Sequence, residues 1–565
     1  MKRCPQCQRI YSDETLNYCL EDGASLFGDV NSDDPATAIL TPPPPATEAA
    51  TRTLETSKKD TGNAVSSPGS GTAEPVGNYR RMITIVGAAL IVALGIGGYW
   101  LYGSRTSTQI SAIAVLPFEN ESGDAELDYL SDGVSESVID RLSQISQLKV
   151  IARNSSFQYR GRNQDFGKIA NALGVEALVT GRVVRQGDNY SIRVEMIDAR
   201  ENRNLWSESF VRKAGDVQAL QSDISKVVAD NLRLRLTGTQ TEQLGNAGTA
   251  NPEAYEMLLR GRYYVNKVGT ENRAKAAEYF QQAIDLDTNY ALAYAELSLT
   301  YVNLVGFSNY DPKEYLPRAE QESQKAVELN QDLPEAVYSK AAVMRYLSRW
   351  SEADQAYRRA IDLGPNLART HNGYALFLSL LGRHDEAVAE IKRAREFDPV
   401  SVLINLNMGV IYYEGRRYDE AIETLQKTLE LDPNVPFAHL HIGLSYSEKG
   451  VFGKAIESIQ QAIKLNEDNP KMQIRLGQVY AKSGDDANAR TILSQVKASK
   501  QYVSPAELAM LYASLGDKES ALASLENAFR TNDVQLQYIK IAPAYDNLRS
   551  DPRFKDLLKR VGLPD

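Results

Sequence analysis

No cysteine follows Cys19 in this 565-residue chain, and the three it has, Cys4, Cys7 and Cys19, crowd its start. A disulfide framework would spread cysteines through the fold, so none holds this one together. Histidine is nearly as scarce: His371, His384, His439 and His441 are the whole supply. No carboxylate cluster accompanies them, so they read as packed or solvated helix residues. An excess of positive charge is also missing. The net charge is −10, which argues against nucleic acid as a partner, because that affinity comes largely from Lys and Arg releasing counterions. Acid pairs such as Asp124/Glu126 and Glu119/Glu121 fall on loops or strand ends. With no nucleophile and no Gly-rich phosphate loop beside them, they are solvated surface and no enzyme is expected.

What is present divides the chain by composition. Residues 29–79 carry "TPPPP" and "SSPGSG" and bury too little apolar surface to order themselves, so they form a disordered tether. Met82–Tyr102 is a run of 21 residues without a charge, and about 20 apolar residues span a bilayer core. Some 80 residues precede it, which does not suit a cleaved leader. Arg80 and Arg81 on one side face a lone Arg105 on the other, which predicts a cytoplasmic N-terminus and outer domains beyond a bacterial inner membrane. Ala89, Ala93 and Gly97 share one face of this span, a stripe on which two copies would pair as a homodimer.

Residues 110–237 alternate strand-like and helix-like patterns. "AIAVLPF" and "LKVIAR" read as strands. Leu127, Leu130, Val134, Val138, Ile139 and Leu142 form one helical stripe. "FGKIANALG" is a short helix stopped by Gly174, and two strands flank a Gln-Gly-Asp-Asn turn. A closing helix takes Asp216 as its expected N-cap. From about residue 252 small residues recur in steps of 34, at Ala341, Ala375, Gly409, Gly443 and Gly477. Pro365, Pro399 and Pro433 keep the same step, as do Ala353, Ala387, Ala421, Ala455 and Ala489. This is a helix–turn–helix repeat whose units must stack to bury their apolar faces. Gly382, Gly450 and Gly484 mark the turns within units. The fold class is thus multidomain.

"NMGVIYYEGRRYDEAIETLQKTLELDP" resembles the tetratricopeptide repeat, with about eight units over 252–531 and a C-terminal cap over 532–565. The resemblance implies an all-α solenoid that binds protein or peptide partners in a groove. It assigns to that groove Tyr338, Arg345, Tyr346, Arg369, Asn372, Leu376, Leu406, Tyr413, Phe437, Leu440 and Leu444. "IAVLPFENES", "YLSDGVSESVIDRLSQ" and "LGVEALVTGRVVRQGDNYSIRVEMIDA" resemble the TolB amino-terminal-like or FlgO-like α/β domain. That domain often follows a kinase, cyclase or winged helix in bacterial signalling proteins, and none of these is legible before residue 82. Together these features imply a membrane-anchored scaffold in envelope signalling or assembly.

Residues 1–28 remain. Cys4-x2-Cys7 is one knuckle, and Cys19-x2-Asp22-Gly23 stands where a second would be. Asp can supply a zinc oxygen ligand, and the stretch resembles small bacterial zinc ribbons ending in Cys-x2-Asp-Gly. The expected ligands of a closed, structural zinc are therefore Cys4, Cys7, Cys19 and Asp22. A zinc-dependent or redox-active enzyme at these cysteines, or a tethered nucleic-acid-binding ribbon, are the rival readings. Cobalt loaded into residues 1–28 should give the spectrum of three thiolates in a tetrahedral field. Unchanged affinity in Asp22→Ala would remove Asp22 from the ligand set.

Overall fold

The computed structural model describes Lys2–Arg3, Ile10–Tyr11, Phe27–Gly28 and residues 110–563. Within the last span it omits 125–126, 162–164, 214–215, 233, 235–236, 239–247, 268, 309 and 467–468. The metal ligands expected at Cys4, Cys7, Cys19 and Asp22, the tether 29–79 and the span 82–102 lie outside the described residues. Among the described residues no helix is long and apolar enough to cross a membrane, and no His/Cys/Asp/Glu group could hold a metal.

The chain forms two units, Met1–Tyr102 and Gly103–Asp565. In the first, strands β1 (Lys2–Arg3), β2 (Ile10–Tyr11) and β3 (Phe27–Gly28) make an antiparallel sheet in the order β2-β1-β3. Lys2 pairs with both Tyr11 and Gly28.

The second unit begins with an α/β region. Its elements are β4 (Ala112–Val115), β5 (Glu119–Asn120), α1 (Asp128–Ser143), β6 (Lys149–Ile151), α2 (Arg153–Ser156) and α3 (Phe166–Leu173). Then come β7 (Ala177–Gln186), β8 (Asn189–Asp198), β9 (Arg203–Lys213) and α4 (Val217–Asn231). The sheet runs β6-β4-β7-β8-β9, parallel through its first three strands and antiparallel beyond. β4 is buried along its whole length, the mark of a strand covered on both faces. The leucine and valine stripe of α1 is buried, and so is most of the rest of the helix. Gly174 ends α3 in the left-handed conformation at φ 64°. Asp216 does stand at the N-cap of α4, but its side chain makes no capping bond. Strand β9 escapes periodicity because both its faces are largely exposed and polar.

Eight helix pairs follow. They are α5 (Pro252–Val265) with α6 (Thr270–Leu286), α7 (Ala291–Ser308) with α8 (Pro312–Leu329), α9 (Pro334–Tyr346) with α10 (Trp350–Leu363), and α11 (Ala368–Leu380) with α12 (His384–Phe397). The remainder are α13 (Val402–Glu414) with α14 (Tyr418–Leu431), α15 (Pro436–Glu448) with α16 (Phe452–Leu465), α17 (Pro470–Lys482) with α18 (Asp486–Ala498), and α19 (Pro505–Ser514) with α20 (Lys518–Arg530). Two 3-10 turns, Val534–Tyr538 and Pro543–Leu548, lead into α21 (Pro552–Arg560). The 34-step alanines at 353, 387, 421, 455 and 489 are fully buried. A methyl group on Gly409 or Gly443 would run into Leu425 or Ile459, so close helix crossing explains these glycines. Two histidines and an asparagine at one repeat position share one task. The His371 and His439 rings and the Asn405 amide bond the carbonyls of Pro365, Pro433 and Pro399, tying each helix start to the preceding turn.

The α/β region and the array share one apolar core. Val134, Val138 and Leu220 pack in it with Leu258, Leu259, Phe280 and Leu297. Polar contacts pin the next edge. Asp398 is 1% exposed and accepts from Ser155 N at 2.8 Å, Ser155 Oγ at 2.6 Å and Asn154 Nδ2 at 3.2 Å. Asn366 Nδ2 donates to the carbonyls of Ile145 and Leu148. Asp398→Ala strands the buried donors of Ser155 and should cost about 3 kcal/mol. Calorimetric unfolding of the full chain would show this as a lower midpoint; an unchanged midpoint would mean the contact contributes nothing to stability.

A cavity on the inner face as candidate binding site

The first helices of successive pairs touch one another, α13 to α15 and α15 to α17, and so build a continuous inner wall. A cavity of about 370 Å³ lies against this wall. Tyr413 and Glu414 on α13, Leu440, His441 and Leu444 on α15, Lys471 and Arg475 on α17 and Met510 on α19 line it. Its remaining wall is the C-terminal segment, through Gln535, Tyr538, Ile541 and Asn547.

The groove residues read from repeat position divide into three groups. Tyr413, Leu440 and Leu444 line the cavity. Arg345 and Tyr346 end the first helix of the third pair, the guanidinium 5.4 Å over the Tyr346 ring; Arg345 also shares its electrostatic surroundings with Tyr538. The other six serve packing or internal polar contacts. Arg369 pairs with the buried Glu296 at 3.4 Å and lies over the Tyr338 ring. Asn372 accepts a bond from Asn407 Nδ2 at 2.9 Å. Leu376 and Phe437 pack against the main core, and Leu406 against a smaller cluster with Leu425 and Val435. Arg369 is diverted into an internal charge network: the Glu296 it pairs with also takes Arg262, which in turn reaches Asp140 on α1.

The polar residues of the cavity are the ones repeat position did not reveal. Arg475 Nη1 donates to Gln478 Oε1 at 3.0 Å. Among the described residues its buried Nε has no hydrogen-bond partner, and no ion pair holds the guanidinium. Lys471 pairs with Glu507 at 3.0 Å. The His441 ring meets Tyr413 edge-on at 5.4 Å, and its buried Nδ1 has no partner among the described residues. Burial, then the Arg475 and Lys471 charges, push this imidazole down to about 3, so it is neutral. Glu414 accepts from Ser379 Oγ at 2.5 Å. Burial lifts its carboxyl to about 7 against the opposing pull of that bond and of Arg345. The cavity thus offers an unpaired cation, a neutral imidazole and a carboxyl that ionises near neutrality.

These two groups make opposite contributions to stability. Glu414 keeps its proton in the folded state up to about 7, while the unfolded carboxyl loses it near 4.5. Its contribution is complete below 4.5 and is lost as pH rises to 7. His441 resists protonation when folded down to about 3, while the unfolded ring takes a proton near 6.5. Its contribution is complete above 6.5 and is lost as pH falls toward 3. The slopes offset between 4.5 and 6.5. Urea unfolding of Glu414→Gln across this window should therefore show stability rising with pH more steeply than in the parent. His441→Gln should show the reverse, and superimposable profiles would contradict both assignments.

Comparison with known proteins bears on both halves of this unit. Residues 108–227, expected from their motifs to be a TolB amino-terminal-like domain, match the family described as HilA/YgeH-like transcriptional regulator, second domain. The putative adenylate cyclase 3 of Rhizobium meliloti (strain 1021) is 33% identical over 244 residues, 43% of this chain and 42% of that protein. The transcriptional regulator HilA of Salmonella typhimurium is 20% identical over 230 residues, 40% and 39% of the two chains. The match therefore spans less than half the length of these curated relatives. The crystal structure of PilW, a type IV pilus biogenesis factor, aligns with 38% of this chain and 96% of its own at 21% identity and a TM-score of 0.32. Tetratricopeptide families match residues 338–402, 410–450, 448–515 and 506–533. The C-terminal part of this chain is an array of tetratricopeptide repeats.

Proposed function

We propose that the chain is a protein–protein interaction scaffold that takes a short stretch of a partner chain into the inner cavity. The observation that carries this is the Arg475 guanidinium, without an ion-pair partner among the described residues, beside the apolar and aromatic wall of Tyr413, Leu440 and Leu444. Such a wall accepts side chains, and a half-buried cation without a carboxylate partner favours an acidic group on the partner. The scaffold is read as anchored by the 82–102 span in a bacterial inner membrane, with repeats outside and a structural zinc ribbon inside. Arg80 and Arg81 against Arg105, and the spacing of Cys4, Cys7, Cys19 and Asp22, support that part. Pairing through Ala89, Ala93 and Gly97 would present two arrays side by side.

The full chain, extracted from membranes, should capture a defined partner. Arg475→Met should weaken that capture at least about tenfold, since a charge-assisted hydrogen bond is lost. Its unfolding midpoint should stay that of the parent. Capture equal to the parent's would move the binding surface away from the cavity.

A further inference from the structure

The C-terminal segment is attached to the array in two unequal ways. To the last pair it is bound firmly. Tyr545 OH donates to the Ala506 carbonyl at 2.6 Å, and Asn547 Nδ2 to the Ala513 carbonyl at 2.7 Å. Arg553 makes paired bonds to Glu519, and Arg560 to Glu526. Leu548 and Phe554 beneath them are fully buried.

Across the inner face the same segment reaches back to much earlier pairs by two polar contacts, and Val561 and Leu563 share the main apolar core with Trp350. Trp350 Nε1, at the start of α10, donates to the Val561 carbonyl at 3.3 Å, 211 residues along the chain. Arg416 Nη2, in the turn of the fifth pair, meets Asp546 Oδ1 at 2.8 Å, with the two side chains 51% and 41% exposed. Exposed pairs of this kind hold weakly.

The turns at these two points depart from the pattern of the repeat. Positions 348, 382, 416, 450 and 484, each 34 apart, all have left-handed backbone, with φ between 59° and 88°. Glycine fills three of them without strain. The exceptions are Ser348, two residues before Trp350, and Arg416 itself. At 416 a strained arginine stands in the place of a glycine, and its guanidinium is the one that crosses to Asp546.

We propose that the segment from Asp533 to Leu563 is a latch: fixed to the last pair, it closes on Trp350 and Arg416 and walls the cavity, and it must release them to admit a partner chain. This rests on the reading of the cavity as the partner site. Opening needs no unfolding of the segment. The last pair carries it away as the stack flexes, because its firm bonds all run to α19 and α20. Among the described residues Arg345 Nε and His441 Nδ1 at this seam have no hydrogen-bond partner, which makes closure an imperfect match that an entering chain can improve.

Amide hydrogen exchange on the full chain tests the latch without any partner. Trp350→Ala combined with Asp546→Asn should speed exchange about fivefold or more at Gln535–Asn547 and along α13 and α15. Helices α19 and α20 should keep the parent's protection. Unchanged exchange throughout would overturn the latch. Loss of protection in α19 and α20 as well would overturn it too, because the segment would then be a cap on the last pair and nothing more. A gentler variant guards against local misfolding at Trp350. Arg416→Asp alone should open the seam, and adding Asp546→Arg should close it again; failure of that rescue would also overturn the proposal. Since no partner enters these measurements, a negative result leaves the Arg475→Met capture experiment unaffected.

Discussion

A two-helix unit of this sequence has one apolar face too many. Everything from residue 252 onward follows from the need to cover that face with the next unit. The 34-residue step is the outcome. It places alanine or glycine wherever two helices cross, a left-handed residue wherever a pair turns, and a proline carbonyl within reach of His371, Asn405 or His439. Each buried leucine or isoleucine contributes about 2 kcal/mol, but only in the presence of its neighbour, so stability is cooperative along the stack.

The same need sets the relation of the α/β region to the array. The first pair has no preceding pair to cover it, and α1 and α4 of the α/β region take that place, with Leu259 pressed against Gly133. Charge enters this junction as a network. Arg262 joins Asp140 to Glu296, and Arg369 adds a second cation to Glu296. Buried ions of this kind add little when complete, but removing one partner leaves a costly lone charge. They therefore fix orientation more than they add stability. The result is that helix-start positions of the early pairs are spent on internal docking, and the open cavity is displaced toward α13, α15 and α17.

At the other end the last pair is covered by α21, whose Arg553 and Arg560 repeat the 34-residue step to Glu519 and Glu526. No first helix accompanies α21. Two 3-10 turns stand in its place and fold across the inner face. The cavity is thus bounded by the array and by the array's own terminus. Its unusual polar groups, a neutral His441 and a Glu414 carboxyl near neutrality, are products of that enclosure.

Periodicity alone determined the repeat, its length, its crossing residues and its turns, because those are local requirements met again every 34 residues. The stripe on α1 and the hairpin of β7 and β8 were legible for the same reason. Strand β9 was not, since a mostly exposed strand leaves no alternation to read. Tertiary structure alone decided which inner-face positions are free. Tyr413, Leu440 and Leu444 occupy repeat positions like those of Tyr338 and Arg369, yet Arg369 is held by Glu296, 73 residues away, and Tyr338 lies beneath Arg369. Arg475 and His441 became a site only when α15, α17 and the C-terminal segment met around them. A charge is paired or unpaired according to what distant parts of the chain bring beside it, and no spacing within a repeat encodes that.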